Sequence, residues 1–167
     1  MLPQQFSPEI ATSTVLVVDD NPSDLGLIRV ILERAGYAVM VADSLQKMRI
    51  RLTQVIPETI VLDLRFPDSN LDDVLEVISD MSPACAVIVA SSVLTDDLVE
   101  AVVRAGAAGV VQKIEDGRVW PGLLGALRVA AERQYPHRPL IQALMLIGFW
   151  RGYTAAMRDL VRKELCR

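Results

Sequence analysis

Histidine, cysteine and aromatic residues are scarce in this chain. Of 167 residues, one is histidine, two are cysteine and 5% are aromatic. Cys85 and Cys166 stand far apart, so there is no spacing for a soft-ligand metal site and no disulfide framework. Cys85 adjoins an apolar run and reads as a small core residue, and the lone His137 reads as a solvated residue of a connecting segment. No Cys or His nucleophile and no Gly-rich phosphate loop stands out, so an independent metabolic enzyme is not expected. Long hydrophobic runs are missing too. The longest, Pro139 to Trp150, falls far short of the ~20 residues of a membrane-spanning helix. The opening MLPQQFSPEIATST has neither a basic start nor an apolar core, so no signal peptide is read there. A soluble, cytoplasmic protein with no transmembrane segment is the expectation.

What the chain does have is apolar bulk and an uneven distribution of charge. Hydrophobic residues make up 51%, enough for one well-cored domain with a short appendage. Residues 1–131 hold 10 Lys and Arg against 18 Asp and Glu, whereas residues 132–167 hold 7 against 3. The C-terminal part is therefore either a basic tail resting on an acidic body or a part with a different task.

Between residues 14 and 131, short β-branched runs alternate with helical patterns. The runs are TVLVV (14–18), AVMVA (38–42), TIVLD (59–63), AVIVA (86–90) and GVVQK (109–113). Each is apolar on both faces, as in strands buried on both sides of a parallel sheet. Apolar residues at helical spacing follow each run: Leu25, Ile28, Ile31 and Leu32; Leu45, Met48 and Leu52; Leu71, Val74, Leu75 and Ile78; Leu98, Val102 and Val103; Leu123, Leu124 and Leu127. Asn21-Pro22 opens the first helix and Gly36 closes it, while Thr95 caps the fourth and Gly106 ends it. Five βα units in this order predict an α/β, doubly wound, five-stranded parallel sheet.

In open α/β sheets, ligands bind beyond the carboxyl ends of the strands. The polar residues fall there: Asp19 and Asp20 after the first run, Asp63 ending the third, Ser91 and Ser92 after the fourth, Lys113 ending the fifth. Any one of these Asp residues alone reads as a helix cap. Together they make a crevice whose carboxylates need a cation, and hard oxygen donors without His or Cys point to Mg²⁺. A lysine and a hydroxyl beside them suit a phosphoryl group in transit, and a carboxylate can be its acceptor.

The segments LVVDDNP (16–22), IVLDLRFPD (60–68), VIVASS (87–92) and AGAAGVVQK (105–113) resemble the receiver domain of two-component response regulators. The likeness covers about residues 14–131 and rests on four separated motifs in the right order. It implies a flavodoxin-like sheet of order 2-1-3-4-5 and phosphorylation of Asp63 by a histidine kinase or phosphotransfer protein. It further implies Mg²⁺ held by Asp19, Asp20, Asp63 and the backbone carbonyl of Arg65, with Ser91 and Lys113 contacting the phosphoryl oxygens. The chemistry implied is limited to self-phosphorylation and autodephosphorylation. The chain departs from the family at Val110, where an aromatic usually stands three residues before the lysine. It also departs at Ile114, where a proline usually follows, and at Leu71, where a glycine is common. The missing aromatic points to a signal leaving the site by a route other than the usual ring rotation. Arg65 reads either as a surface residue or as a cation that tunes attack by water on the acyl phosphate.

Four parts are expected: a flexible N-terminus (1–13), the receiver domain (14–133), a linker (134–139) and a helical tail (140–167). The linker carries two prolines. The first half of the tail is apolar almost all round and needs a partner surface, the second half is amphipathic, and Gly148 and Gly152 mark a break. A homodimer through these helices is the leading expectation. The alternative is a transcription regulator with a reduced DNA-binding tail, since LIQALMLI followed by RGYT is faintly similar to the start of a helix-turn-helix output domain. Docking on a partner protein or a membrane surface is a third reading.

Overall fold

The computed structural model describes residues 13–113 and 122–132. Ten elements alternate along the chain: β1 (Thr14–Val18), α1 (Pro22–Arg34), β2 (Ala38–Ala42), α2 (Leu45–Leu52), β3 (Thr59–Asp63), α3 (Leu71–Met81), β4 (Ala86–Ser91), α4 (Asp96–Ala105), β5 (Gly109–Gln112) and α5 (Leu123–Ala131). The strands form one parallel sheet in the order β2-β1-β3-β4-β5, as the resemblance implies. The linker, the helical tail, Ile114, His137 and Cys166 lie outside the described residues. Ser13 belongs to the body, since its carbonyl accepts the Ala38 N–H at 3.0 Å.

Period-2 alternation sorts the strand side chains between two cores. Leu16 and Val18 of β1, Ile60 and Leu62 of β3, and Val87 and Val89 of β4 pack with α2, α3 and α4. Val15 and Val17, Val61, and Ala86, Ile88 and Ala90 pack with α1 and α5 through Ile28, Leu32, Leu123 and Leu127. Each fully buried Leu or Ile contributes about 1.5–3 kcal/mol relative to exposure. Cys85 is buried in the first core, as the sequence suggests.

Uniform two-sided burial holds for β3, β4 and, beyond Thr14, β1, but not for the two edges. Along β2, Ala38 is exposed and Val39 to Val41 only half-buried, and β5 is likewise half-open. An edge strand has one neighbour and less helix cover, so an apolar sequence there does not imply a buried one. Two helical positions also differ from the periodicity. Leu71 and Val103 are exposed, and the buried face of α3 is Val74, Val77, Ile78 and Met81. Leu71 occupies the first position of its helix, before the stripe engages the sheet. Val103 sits one residue past the buried Val102 and rotates away from the core.

The ends of the elements follow local chemistry. Asn21 accepts the Ser23 N–H at 2.9 Å, with Pro22 in the first helical turn. Thr95 accepts the Leu98 N–H at 3.3 Å. Asn70 and Asp73 form a reciprocal capping box. Gly106 closes α4 with φ of 113°, and a Cβ there would also meet Ser82 Oγ at 2.6 Å.

Candidate functional site

Parallel pairing brings the carboxyl ends of β1, β3, β4 and β5 side by side. Val18 aligns with Leu62, Asp63 with Ala90 and Ser91 with Gln112, so the residues that end or follow these strands meet at one rim. Asp19 stays tied to the sheet through its N–H, which donates to the Ala42 carbonyl at 3.1 Å. Its Oδ1 accepts the Asn21 N–H at 2.9 Å, which fixes the carboxylate as the chain turns into α1. Asp63 Oδ1 accepts the Leu64 N–H at 2.7 Å in the same manner. Both side chains are buried, while Asp20 is exposed.

Asp19, Asp20 and Asp63 each offer a carboxylate oxygen, and the three oxygens lie within 4.8 Å of one another. This all-oxygen set, with two members oriented by backbone N–H groups and one open to water, fits a hard divalent cation that keeps part of its hydration. Arg65, two residues beyond Asp63, is exposed at the start of the turn bridged by Phe66 and Ser69.

The counter-charge is Lys113. Its side chain is only 8% exposed. Its Nζ donates to Asp19 Oδ2, to Asp63 Oδ2 at 3.0 Å and to Asp24 Oδ2 at 3.2 Å. Its own N–H donates to the Ser91 carbonyl at 3.0 Å, which holds the stem beside β4. Burial alone would push the ammonium pKa down, but hydrogen bonds and charge from Asp19 and Asp63 outweigh it and hold the pKa above its usual value. Burial pushes the Asp19 carboxyl up, more strongly than the bonds from Lys113 and Asn21 pull it down. The charge of Asp63 adds to the rise.

The structure thus gathers four of the residues expected from the sequence: Asp19, Asp20, Asp63 and Lys113. Ser91 is buried at the same rim, but its hydroxyl donates to the Val93 carbonyl at 3.0 Å and accepts the Val93 N–H at 3.3 Å. Ser92 is exposed, and its carbonyl accepts from Gln112 Nε2 at 3.4 Å. Val110 is half-buried and packs against the core shared with α3 and α4. Sequence reasoning missed Asp24. It stands in the first turn of α1, five residues past Asp19, where the helix N-terminus by itself favours an acid. The sequence carries no signal for its contact with Lys113, which stands 89 positions away.

Comparison with known proteins agrees with this arrangement. The family model described as "Response regulator receiver domain" matches residues 15–119. The alginate biosynthesis transcriptional regulatory protein AlgB of Pseudomonas aeruginosa is 32% identical over 150 residues, which are 90% of this chain and 30% of that protein. A protein-glutamate methylesterase/protein-glutamine glutaminase of Agrobacterium fabrum is 31% identical over 132 residues, 75% of this chain and 37% of that protein. The chain spans less than two thirds of the length of the curated relatives it matches. Among solved structures, the beryllofluoride-activated NtrC4 receiver domain dimer is 28% identical, with a TM-score of 0.62, 71% of this chain covered and 96% of that one. No helix among the described residues is long and apolar enough to cross a membrane. Sheet order, carboxylate rim and family match converge: the chain belongs to the response regulator receiver domain family and carries the receiver domain of a two-component signalling system.

Proposed function

We propose that Asp63 is the phosphoacceptor and that Mg²⁺ is held by Asp19, Asp20, Asp63 and the backbone carbonyl of Arg65. The observation that carries this reading is the Lys113 ammonium, buried against Asp19 and Asp63 beside three carboxylate oxygens clustered within 4.8 Å. A carboxylate oxygen of Asp63 attacks the phosphorus of a phosphohistidine or small phosphodonor. The bond from phosphorus to the leaving group breaks, and an acyl phosphate forms. Lys113 pairs with the phosphoryl oxygens, and the Ser91 hydroxyl leaves Val93 to donate to one of them. The cation, when bound, neutralises part of the charge that accumulates at this rim. Water later cleaves the acyl phosphate, and the chain does no other chemistry.

The partners are a histidine kinase or phosphotransfer protein upstream and protein contacts downstream, in the cytoplasm. Residues 140–167 form the pairing surface of a homodimer, a reading supported by their apolar composition. The test is incubation of wild type and Asp63→Asn with a small-molecule phosphodonor and Mg²⁺, read by intact mass and by size-exclusion mass. A single phosphoryl adduct on wild type, absent from Asp63→Asn, is expected; an adduct on both proteins would remove Asp63 from the role.

A second reading, a transcription regulator with a reduced DNA-binding tail, draws support from the likeness to AlgB over 90% of the chain. It requires duplex DNA binding that weakens steeply with salt.

A further inference from the structure

The Lys113 ammonium has three N–H donors and, among the described residues, pairs with the carboxylates of Asp19, Asp63 and Asp24. A phosphoryl group arriving on Asp63 brings new oxygens to this ammonium, so a partner must yield. The three do not yield equally easily. Asp19 keeps 2% of its side-chain exposure and is held through Asn21, so losing Lys113 would leave a buried carboxylate short of a partner. Asp63 is the residue of attachment in the phosphoacceptor reading. Asp24 makes a contact of 3.2 Å and keeps 27% exposure, so its carboxylate regains water at least cost. Its place in the first turn of α1 offers it a favourable field once released.

We propose that Asp24 is a displaceable counter-ion for Lys113. It is a positioning residue that holds the ammonium at the rim in the resting state and competes with the incoming phosphoryl group for it. The inference rests on Asp63 being the phosphoacceptor. Asp24 touches neither the donor nor the reacting atoms and acts through Lys113. Its release also gives the first turn of α1 a contact that depends on the state of Asp63.

The test uses the full chain, with acetyl phosphate as donor and beryllofluoride as a non-transferable phosphoryl mimic, both with Mg²⁺. Asp24→Asn keeps an acceptor oxygen for Lys113 and removes only the charge. The half-saturating acetyl phosphate concentration is expected to fall roughly fivefold, the weight of one partly exposed charge pair, with the effect on half-saturation and not on the maximal rate. Beryllofluoride affinity, read by fluorine NMR, is expected to tighten by a similar factor. Both gains should shrink at high salt, and Asp24→Glu should behave as wild type. Asp24→Ser, also compatible with a helix start, is the second variant should Asp24→Asn fold poorly. Unchanged or weakened donor and beryllofluoride binding in both variants at low salt would overturn the proposal while leaving Asp63 as phosphoacceptor. If wild type takes no phosphoryl group and binds no beryllofluoride, the phosphoacceptor reading and this inference fall together.

Discussion

Two strands of the sheet are followed by aspartates that each pair with a lysine, one 94 residues away and one four, and the two pairs behave in opposite ways. Asp19 follows β1 at the centre of the sheet and bonds to Lys113; Asp43 follows β2 at the edge and bonds to Lys47. The central side chains are 2% and 8% exposed, whereas Asp43 and Lys47 are 48% and 62% exposed. Burial drives the Asp19 carboxyl above its ordinary pKa despite its lysine. At the edge, the bond from Lys47 lowers the Asp43 carboxyl, because little solvation has been lost. The same two residue types make a buried charge cluster in one place and a solvated surface pair in the other. Position in the sheet decides which.

The largest effect expected from this contrast is at the centre. Lys113→Met should leave Asp19 and Asp63 facing each other without their buried counter-charge. The loss should be about 3 kcal/mol in the absence of divalent cations, measured by denaturant unfolding, with the proposed phosphoryl transfer to Asp63 lost as well. A loss no larger than that of a surface pair would mean that water reaches the rim and that the central pair is not different in kind from the edge pair.

Millimolar Mg²⁺ sharpens the comparison from the other side. A cation that binds only the folded rim stabilises it by about 2.7 kcal/mol at a hundred times its dissociation constant. The melting temperature of wild type should rise with Mg²⁺, that of Asp20→Asn should rise less, and that of Lys47→Met should rise as wild type does. An unmoved melting temperature in wild type would weaken the metal assignment.

These outcomes also mark how far the sequence could be read. Asp19, Asp20, Asp63 and Lys113 were legible because several charged residues at the carboxyl ends of neighbouring apolar runs must converge once those runs pair as a parallel sheet. The strands were legible to within a residue at their ends, because β-branched runs punctuated by Asn, Pro and Gly leave little choice. The exposure of β2, Leu71 and Val103 was not, because apolar periodicity records which face is greasy and not how much cover lies over it. Asp24 was missed for a related reason: the field of a helix N-terminus already accounts for an acid in the first turn, and its contact with a lysine 89 positions away is a fact of the fold. The bond between Ser91 and Val93 was also invisible, since the sequence places the hydroxyl at the rim without saying which way it turns.

The smallest effects expected are those of pH, and they test the sign of each pair. Lys113 has a folded pKa above its ordinary 10.5, so its contribution is fully present below 10.5 and is lost as pH rises through the higher folded value. Asp19 has a folded pKa above 3.8, so the folded state holds its proton more tightly than the unfolded one. Its contribution therefore favours folding at low pH and declines as pH rises from 3.8 through the folded value. Asp43 runs the other way. Its folded pKa lies below 3.8, so its contribution is present above 3.8 and disappears as pH falls through the folded value. Without divalent cation, Asp19→Asn should therefore gain stability relative to wild type as pH rises from about 4 toward neutrality. Asp43→Asn should fall only slightly behind wild type over the same interval, because exposed pairs carry little energy. Unfolding by denaturant at several pH values, with the two variants beside wild type, measures both slopes. If the two differences ran in the same direction, burial would not be what separates the centre of the sheet from its edge.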